Sequence, residues 1–262
     1  MKYAVYTNEK ENSLKLKQEF ITYMAKFCYE YNDEDPAIVV YIGGDGTFLR
    51  AVQHYMDRIE QVQFIGVKTG ALGFFCDYEP TQLEQLAKDI AIGIPLEYQY
   101  NLLEGHLIYE NDEQYVYAVN EIRIEDPYKT LICDVEINKQ HLEEYRGNGL
   151  LVSSTLGSTA YNKSCNGALI DHSLNVLQLA PINPIHNIVY NSLSSPMVLH
   201  ETSKIEFKGD FSNIIVGFDN KIVENNDKLK SVEVRSSDIC VTMLRYNTYN
   251  YIQKINKSFI KE

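Results

Sequence analysis

The amino-acid sequence predicts a Rossmann-like α/β domain in the N-terminal part of the chain and a β-sandwich domain after it. Three observations support this fold class. Up to about residue 97, short apolar runs alternate with segments of helical spacing, which is typical of a parallel sheet covered by helices. From about residue 98, short alternating strands follow one another closely and are broken by turn residues. Residues 247–262 return to helical spacing.

This change of pattern predicts two domains. Residues 1–97 should form the α/β domain, and residues 98–246 should form the β-sandwich domain. In the tail, apolar side chains recur at helical spacing, at Tyr249, Ile252, Ile255 and Phe259. We therefore expect a C-terminal helix over 247–262 that packs back on the first domain.

The elements of the α/β domain begin with the strand KYAVY and a helix from about Asn12 to Tyr29. They continue with the strand AIVVYI, a helix near Phe48 to Met56, the strand QFIGV and a helix from about Thr81 to Ala91. The strands are continuous apolar runs, so both faces of the sheet should be buried.

The second domain is predicted to be almost entirely β. Its strands are HLIYE, QYVYAVNEIRI, LICDVEIN, SKIEFKG, NIIVGFDNKIV and SVEVRSSDICVTML. Turn residues such as Asn111-Asp112 and Asp219-Asn220 separate strands, as in an antiparallel sandwich. One helical interruption, near STAYNKSCNGALI, is made of small and polar residues.

Composition excludes several classes of partner and location. The chain has 262 residues, 45% of them apolar, and a net charge of −12, with 24 Lys and Arg against 36 Asp and Glu. Binding to nucleic acid or to an anionic membrane surface is not expected, because both need clustered positive charge. The five cysteines are dispersed without a CxxC pair, which favours reduced thiols. There is neither a leader-like segment nor an apolar run of about 18 residues, so we expect a cytoplasmic protein.

The stretch YIGGDGTFLR, residues 41–50, joins an apolar strand to a helix through a glycine-rich turn. Such a turn presents unpaired backbone N–H groups at the positive end of the helix dipole, where a phosphate is favoured. Gly43, Gly44 and Gly46 allow close backbone approach, and Thr47 is predicted as the N-cap of the helix. The pattern is neither the Walker motif nor GxGxxG.

Asp45 lies inside this turn, where its carboxylate would repel a phosphate. The charge is useful if it accepts a proton or helps to hold a cation. Phosphoryl transfer to a hydroxyl needs both a base at the attacking oxygen and, often, magnesium at the phosphates. Alternatively, Asp45 holds a tight turn through hydrogen bonds to its own backbone. Both alternatives remain open from these residues alone.

A second candidate site is the glycine-punctuated segment Tyr145–Gly167. Ser158, Thr159 and Asn162 offer hydroxyl and amide groups, and Tyr161 offers a flat ring for stacking. The segment could hold a base or a ribose. Without further context, a polar helix start capped by Ser158 or Thr159 is the favoured interpretation.

A third candidate is the pair Asn120-Glu121 within YAVNEIRI. Strand alternation would place Val119 and Glu121 on one face, and Asn120 and Ile122 on the other. Buried polar groups need partners, which a polyhydroxylated ligand would provide. An exposed strand edge would explain the pair equally well.

Taken together, these motifs resemble those of the NAD kinase family, especially its short bacterial members. In order they are GGDGT, TGALGFF, NE, RGNG and GSTAYNKS, and the tail NKSFI is also similar. The first motif is shared with diacylglycerol and sphingosine kinases. The NE pair followed by GSTAY is far more selective, and the matches run through both halves of the chain.

The resemblance implies ATP-dependent phosphorylation of the adenosine 2'-hydroxyl of NAD to give NADP, with Mg²⁺ or another divalent cation. It implies Asp45 as the proton acceptor, NAD binding in the second domain, and a homodimer or homotetramer whose ligands are NAD and ATP. The metal ligands are not identified. The residues implied to contact the nucleotides are Gly44, Asp45, Gly46, Phe74, Asn120, Glu121, Arg146, Asn148, Ser158, Thr159, Ala160, Tyr161, Asn162, Lys163, Ser164 and Asn183.

Several positions depart from the family pattern. Asn148 stands where the family motif RGDGL has an aspartate, so an anion near the cationic nicotinamide half of NAD is lost, and weaker or altered NAD binding is expected. The segment before GSTAY lacks the usual rigid proline. Lys68 replaces a common Asn or His and either contacts phosphate or is solvated. Asp219 is similar to a family turn aspartate, for which a turn-forming role is favoured.

Two alternatives to an NAD kinase remain. One is another kinase with the same loop that phosphorylates a lipid or a sugar, although no membrane-facing helix is evident. The other is an NAD-binding protein with weakened catalysis, which Asn148 and the missing proline make worth testing. Asp45 and Glu121 argue against a pure binder, which has little use for carboxylates beside phosphates.

Overall fold

The computed structural model describes residues 1–70, 73–187, 190, 192–211, 214–223, 228–246 and 250–260. The chain divides into two compact units. The first comprises Met1–Tyr100 and Ile239–Glu262, and the second comprises Asn101–Asp238. None of the helices in these described ranges combines the length and the apolar character that crossing a membrane requires.

The first unit is an α/β structure built on a parallel sheet. Its elements up to residue 92 are β1 (Lys2–Thr7), α1 (Glu11–Met24), β2 (Glu30–Tyr31), β3 (Ile38–Gly43), α2 (Asp45–His54), β4 (Gln63–Lys68) and α3 (Leu83–Ile92). The strands lie in the order β2-β1-β3-β4 and pair in parallel. All six residues of β3 are buried, as its continuous apolar run predicts.

Helices cover both faces of this sheet. On one face, α1 and α3 contribute Phe20, Met24 and Leu86 to a core with Val5 and Val40. On the other face, the Phe48 ring of α2 packs against the rings of Tyr41, Phe64 and Phe75. The first helix is shorter than predicted, because Cys28 adopts a left-handed conformation (φ 54°) after a 3₁₀ turn at Ala25–Phe27.

The second unit consists of two mostly antiparallel sheets. Its elements are β5 (Leu96–Tyr109), β6 (Glu113–Ala118), β7 (Glu121–Glu125), β8 (Leu131–Ile137), β9 (Gln140–Gly147), β10 (Gly149–Ser153), α4 (Tyr161–Ser164), β11 (Val176–Ile182), β12 (Met197–His200), β13 (Lys204–Gly209), β14 (Ile215–Phe218), β15 (Lys221–Ile222) and β16 (Leu229–Arg245). The two long strands, β5 and β16, also supply residues to the first unit. Their inner faces form one core that includes Val135, Phe207 and Val232 from one sheet and Ile124 and Val152 from the other.

The strand order brings two of the candidate segments, the Asn120-Glu121 pair and residues 153–164, to the same sheet. That sheet runs β12-β11-β10-β7-β14-β15, and the other runs β6-β5-β16-β13-β8-β9. In the first of these, β7 begins with Glu121, directly after Asn120, and the 153–164 segment starts at the end of strand β10. The predicted helical interruption is a 3₁₀ turn, Leu156–Thr159, followed by the single turn of α4.

The C-terminal tail belongs to the first unit. The end of β16 pairs in parallel with β4, with Thr242 opposite Gln63. Of the predicted helix over 247–262, residues 247–249 and 261–262 lie outside the described part of the chain. Within it, the tail forms α5 (Tyr251–Ile255) and a π-helical turn, Asn256–Ile260, and the ring of Phe259 lies 5.4 Å from that of Phe74.

Candidate functional site

The glycine-rich turn after β3 leads directly into α2, one turn earlier than predicted. Gly44 is the N-cap, in an extended conformation, and no side chain caps this helix end within the described residues. Thr47 is therefore not the N-cap. It is buried in the first turn, where its N–H donates to the Gly44 carbonyl at 2.8 Å. The first N–H groups of α2 are thus left without a side-chain cap, as an anion-binding helix end requires.

The two glycines on either side of Gly44 and Asp45 differ in the space around them. A Cβ at Gly43 would lie 2.1 Å from Thr47 Oγ1, so a side chain there is excluded. A Cβ at Gly46 would meet only Arg50 Nη1, at 3.8 Å. Gly43 is therefore required by the fold, whereas nothing in the described structure requires glycine at position 46.

Asp45 is the first residue of α2, and its half-buried carboxylate is held by a distant segment. Oδ2 accepts the N–H of Phe74 at 2.9 Å, and Oδ1 accepts the N–H of Phe75 at 3.1 Å. The alternative in which Asp45 holds its own turn is therefore wrong, because its side-chain partners among the described residues lie about thirty residues further along the chain. Each oxygen keeps a further lone pair that can accept another proton donor.

We call residues 73–77 the Phe74 loop, and its carbonyls are held from two further sides. Tyr41 Oη donates to the Phe75 carbonyl at 2.6 Å. Lys254 Nζ, from the tail, donates to the carbonyls of Phe74 at 2.7 Å and Cys76 at 2.8 Å. Phe74 is 5% exposed, and its ring packs against the rings of Phe259 and Tyr251. Since its backbone groups are also used inside the unit, the structure gives Phe74 a packing role and does not show the predicted nucleotide contact.

The end of the Phe74 loop is a buried cluster of one carboxylate and two cations. Arg245 Nη1 donates to both oxygens of Asp77 at 2.7 Å, and Lys254 Nζ donates to Asp77 Oδ1 at 2.7 Å. Arg245 is 1% exposed, and burial lowers the pKa of Lys254. Sequence reasoning missed this cluster. The only signal was a charged residue at the end of each of two apolar segments.

Lys68 is not simply solvated. Its Nζ lies 3.3 Å from Glu79 Oε1 in an ion pair, and its aliphatic stem would contact a Cβ placed at Gly73. The structure therefore gives Lys68 a partner within the first unit.

In the second unit, Asn120 and Glu121 are buried, with exposed fractions of 6% and 5%. The exposed-edge interpretation is therefore wrong. So is the alternation over YAVNEIRI, because β6 ends at Ala118 and β7 begins at Glu121, leaving Val119 and Asn120 between the strands. Among the residues that the structure describes, Asn120 Oδ1 and Glu121 Oε2 are buried atoms without a hydrogen-bond partner. Buried polar atoms are normally paired, so these two point to a ligand.

Asp219 provides the partners that a neighbouring strand would otherwise supply at this break. Its Oδ2 accepts the N–H of Val119 at 2.9 Å, and its Oδ1 accepts the N–H of Asn120 at 2.7 Å. Burial raises the pKa of Asp219 to about 6. Burial, and next the negative charge of Asp219, raise the pKa of Glu121 to about 8.

The 153–164 segment packs on the same backbone. Ser154 Oγ donates to the Val119 carbonyl, and the Ser154 N–H donates to the Asn120 carbonyl at 2.9 Å. A Cβ at Gly157 would lie 2.0 Å from that carbonyl oxygen. Asn162 is fully buried, and its Oδ1 has no partner in the described ranges, which adds a third buried oxygen from the candidate residues.

Neither Ser158 nor Thr159 caps a helix. The N-cap residues of the 3₁₀ turn and of α4 are Thr155 and Ala160, and no side chain of the described residues caps either end. Ser158 Oγ instead accepts the N–H of Ile170 at 3.1 Å, and Thr159 Oγ1 donates to the Leu156 carbonyl at 3.3 Å. The capping interpretation is therefore wrong. Ala160 is half-buried, while Lys163 and Ser164 are exposed.

Tyr161 is exposed, but two side chains of β7 hold it. Its Oη donates to Glu125 Oε1 at 3.2 Å, and the Arg123 guanidinium lies 5.8 Å from the ring centre. The ring, Ser164 and Asn183 line a cavity of about 220 Å³. Sequence reasoning missed Arg123 and Glu125, although a charge at every second position of an apolar strand was visible.

Asn148 and Asn183 are neighbours through the main chain, because the Asn148 N–H donates to the carbonyl of Ile182 at 3.0 Å. The Asn148 side chain is exposed. Arg146 is directed elsewhere. Its guanidinium pairs with Glu144 at 2.6 Å, lies 4.5 Å from the ring centre of Tyr190, and lines a different cavity of about 330 Å³.

The described residues contain no cluster of three or more His, Cys, Asp or Glu side chains placed to hold a metal ion. A protein-built metal cage therefore does not fit this part of the chain. Mg²⁺ is commonly bound through one or two carboxylates together with the phosphates of a nucleotide, and only that arrangement is compatible with the residues present.

Two family models match the chain. The model of the ATP-NAD kinase N-terminal domain matches residues 2–93, and that of the ATP-NAD kinase C-terminal domain matches residues 119–246. Among curated proteins, the chain is 32% identical to the NAD kinase of Leuconostoc citreum (strain KM20), over 100% of this chain and 99% of the relative. It is 35% identical to NAD kinase 1 of Bacillus subtilis (strain 168), over 99% and 98%.

Solved structures give the same fold. A yeast NADH kinase complexed with NADH superposes with a TM-score of 0.85 at 18% identity, covering 98% of this chain and 86% of that one. An NAD kinase from Archaeoglobus fulgidus in complex with ATP superposes with a TM-score of 0.78 at 21% identity, covering 98% and 99%. At these identities, the two similarities establish the fold.

Proposed function

The chain belongs to the NAD kinase family, and on that premise we propose that it transfers the γ-phosphate of ATP to the 2'-hydroxyl of the adenosine ribose of NAD, giving NADP. The family models and the identity with named NAD kinases confirm the resemblance that the motifs indicated. The lipid or sugar kinase alternative is not favoured, since the relatives that match over the full length are named NAD kinases.

The observation that carries the proposed mechanism is the fixed carboxylate of Asp45. Two backbone N–H groups orient it at the start of α2, beside helix N–H groups that favour phosphate. In the proposed step, Asp45 accepts the proton of the 2'-hydroxyl as its oxygen forms a bond to the γ-phosphorus. The bond from that phosphorus to the β–γ bridging oxygen breaks, and ADP leaves.

The second unit is proposed to bind the dinucleotide. In the described part of the chain, Asn120 Oδ1, Glu121 Oε2 and Asn162 Oδ1 are buried oxygens without a partner. The two amide oxygens, and the Glu121 carboxylate in its ionised form, suit the hydroxyl and amino donors of NAD. Tyr161 is proposed to stack on a ring of the dinucleotide. Further contacts with the dinucleotide are proposed for Ser158, Thr159, Ala160, Lys163, Ser164, Asn148 and Asn183. Arg146 lines a separate cavity, and we propose that its positive charge contacts the dinucleotide.

The proposed divalent cation would be carried mainly by the phosphates of ATP, since the described residues supply no cage for it. When bound, it would neutralise charge that develops on the phosphoryl group. Mg²⁺ remains the proposed ion.

Domain limits, location and assembly are also proposals. We propose that residues 1–97 carry the phosphoryl-transfer loop and residues 98–246 bind NAD, with the 247–262 tail attached to the first domain. The contacts of Lys254 and Phe259 with the Phe74 loop support that attachment. We further propose a cytoplasmic location, which the dispersed cysteines support, and a homodimer or homotetramer, which the family resemblance implies.

The proposed activity is tested by incubating the purified chain with NAD, ATP and Mg²⁺ and detecting NADP with an NADP-specific dehydrogenase. We expect NADP to form, and lipid or sugar acceptors to remain unlabelled when ATP labelled at the γ-phosphate is used. Polyphosphate in place of ATP, and NADH in place of NAD, define the donor and acceptor range. NAD binding without any NADP would support the weakened-catalysis alternative and contradict the proposal.

Gly46→Ala is expected to raise the KM for NAD about tenfold while leaving the protein fully folded. The described structure has room for this Cβ, and alanine favours a helix, so a loss would come from contact with the ligand. Steady-state kinetics and the melting temperature measure the two effects. Gly43→Ala is the comparison, because its clash with Thr47 should lower the melting temperature. Unchanged kinetics in Gly46→Ala would contradict close approach of NAD at this turn.

Asn148→Asp is expected to lower the KM for NAD roughly threefold to tenfold, because it restores an anion toward the cationic nicotinamide. The KM for NADH, whose nicotinamide is neutral, should change less. Kinetics with both acceptors measure the difference. Equal changes for NAD and NADH would show that position 148 does not recognise the charge.

A further inference from the structure

The Val119–Asn120 break between β6 and β7 is held by a single residue from a distant hairpin. Asp219 uses both carboxylate oxygens on the N–H groups of Val119 and Asn120, at 2.9 and 2.7 Å. Its own N–H donates to the carbonyl of Glu121 at 3.0 Å. Three consecutive residues therefore each form a hydrogen bond with Asp219.

Asp219 is itself firmly placed. It lies in the turn between β14 and β15 with φ 49°, a left-handed conformation that Asp tolerates in turns. It is 7% exposed, and Arg123 Nη1 donates to its carbonyl at 3.3 Å. Burying a carboxylate is costly unless it is hydrogen-bonded, so the two N–H groups and the carboxylate depend on one another.

The Asp219 carboxylate does more than form its own turn, because both of its oxygens bind the backbone of the Val119–Asn120 break. The residues at the break present two buried oxygens, Asn120 Oδ1 and Glu121 Oε2, for which the described part of the chain provides no partner. The direction of both side chains follows from the backbone that Asp219 holds. We propose that Asp219 is a positioning residue for substrate binding, which aims Asn120 and Glu121 at the dinucleotide. This inference rests on the proposed function.

The negative charge of Asp219 has a second consequence at Glu121. The groups that face Glu121 are Asp219 and Glu125, which favour its protonated form, and Arg123 and the Tyr161 N–H, which favour its ionised form; the Cys165 thiol is also near. With burial, this balance raises the pKa of Glu121 to about 8. Removing the charge of Asp219 should therefore let Glu121 ionise at a lower pH.

The test is Asp219→Asn in the full-length enzyme, compared with Asn220→Ala at the exposed neighbouring turn residue. Asp219→Asn keeps one acceptor and loses the charge, so the KM for NAD should rise about tenfold to a hundredfold. The KM for ATP should stay within about twofold. The pH at which the KM for NAD changes should move lower. Asn220→Ala should match the unchanged enzyme in all three measurements.

Asp219→Glu separates charge from position. It keeps the charge, so the pH dependence should stay close to that of the unchanged enzyme, while the longer side chain should still raise the KM for NAD. An unaltered KM for NAD in Asp219→Asn, or equal rises in the KM values for NAD and ATP, would overturn the proposal. If Asp219→Asn does not fold, the same comparison of KM values in Asp219→Glu decides. Failure of the unchanged chain to make NADP would instead contradict the proposed function.

Discussion

Asp45→Asn is expected to lower kcat for NADP formation by about 10²- to 10⁴-fold, the range typical for loss of a general base. Asparagine cannot accept the proton of the attacking hydroxyl, so the loss should appear in turnover. NAD binding should stay measurable, because the proposed dinucleotide acceptors in the second unit are untouched. Steady-state kinetics and NAD titration of the purified variant measure the two quantities.

A second effect of this substitution needs its own control. Asparagine has one acceptor oxygen, so only one of the two N–H contacts from Phe74 and Phe75 can be kept. Tyr41→Phe loosens the same loop by removing the bond to the Phe75 carbonyl, while leaving Asp45 intact. It should lower the melting temperature but reduce kcat only several-fold.

An exposed carboxylate in the same unit completes the comparison. Asp57→Asn changes a side chain on the surface of the first unit and should leave kcat unchanged. Full turnover in Asp45→Asn would disprove the assigned role of Asp45. A loss of kcat in Tyr41→Phe as large as that in Asp45→Asn would assign the effect to the loop instead.

Asp77→Asn is expected to destabilise the first unit by about 3–5 kcal/mol, as breaking a buried ion pair does. Asp77 is the carboxylate shared by Arg245 and Lys254, at 2.7 Å from each. Its removal leaves two positive charges close together in a site where Arg245 is 1% exposed. The melting temperature should fall by about 10 °C or more, and kcat should fall with it, because the Phe74 loop carries the partners of Asp45.

Asp35 is a matched control for this prediction. It also pairs with two cations, Lys2 at 2.8 Å and Arg58, but its side chain is 53% exposed. Surface ion pairs contribute little, so Asp35→Asn should cost about 1 kcal/mol or less. Equal losses of melting temperature in the two variants would contradict the claim that burial makes the Asp77 cluster important.

Much of the fold was predictable because burial leaves a periodic trace in the sequence. The continuous apolar run of β3 indicated a strand covered on both faces, and all six of its residues are buried. The alternation after residue 98 indicated a sandwich. The predicted elements were wrong where hydrogen bonds to a residue far away in the sequence changed the local structure. The strand predicted over YAVNEIRI is broken at Asn120 because Asp219, about a hundred residues later, pairs with its backbone.

The sequence by itself determined the family and the candidate residues for the chemistry, since GGDGT, NE and GSTAY are short motifs whose residue types and spacing are visible without any fold. Tertiary structure alone decided which distant groups fix these segments. The backbone of the Phe74 loop binds Asp45, Asp219 binds the backbone at Val119–Asn120, and Asp77 pairs with Arg245 and Lys254. Periodicity encodes which face of an element is buried. It contains no information on which distant polar group will satisfy a buried donor or charge, because that pairing exists only once the chain has folded.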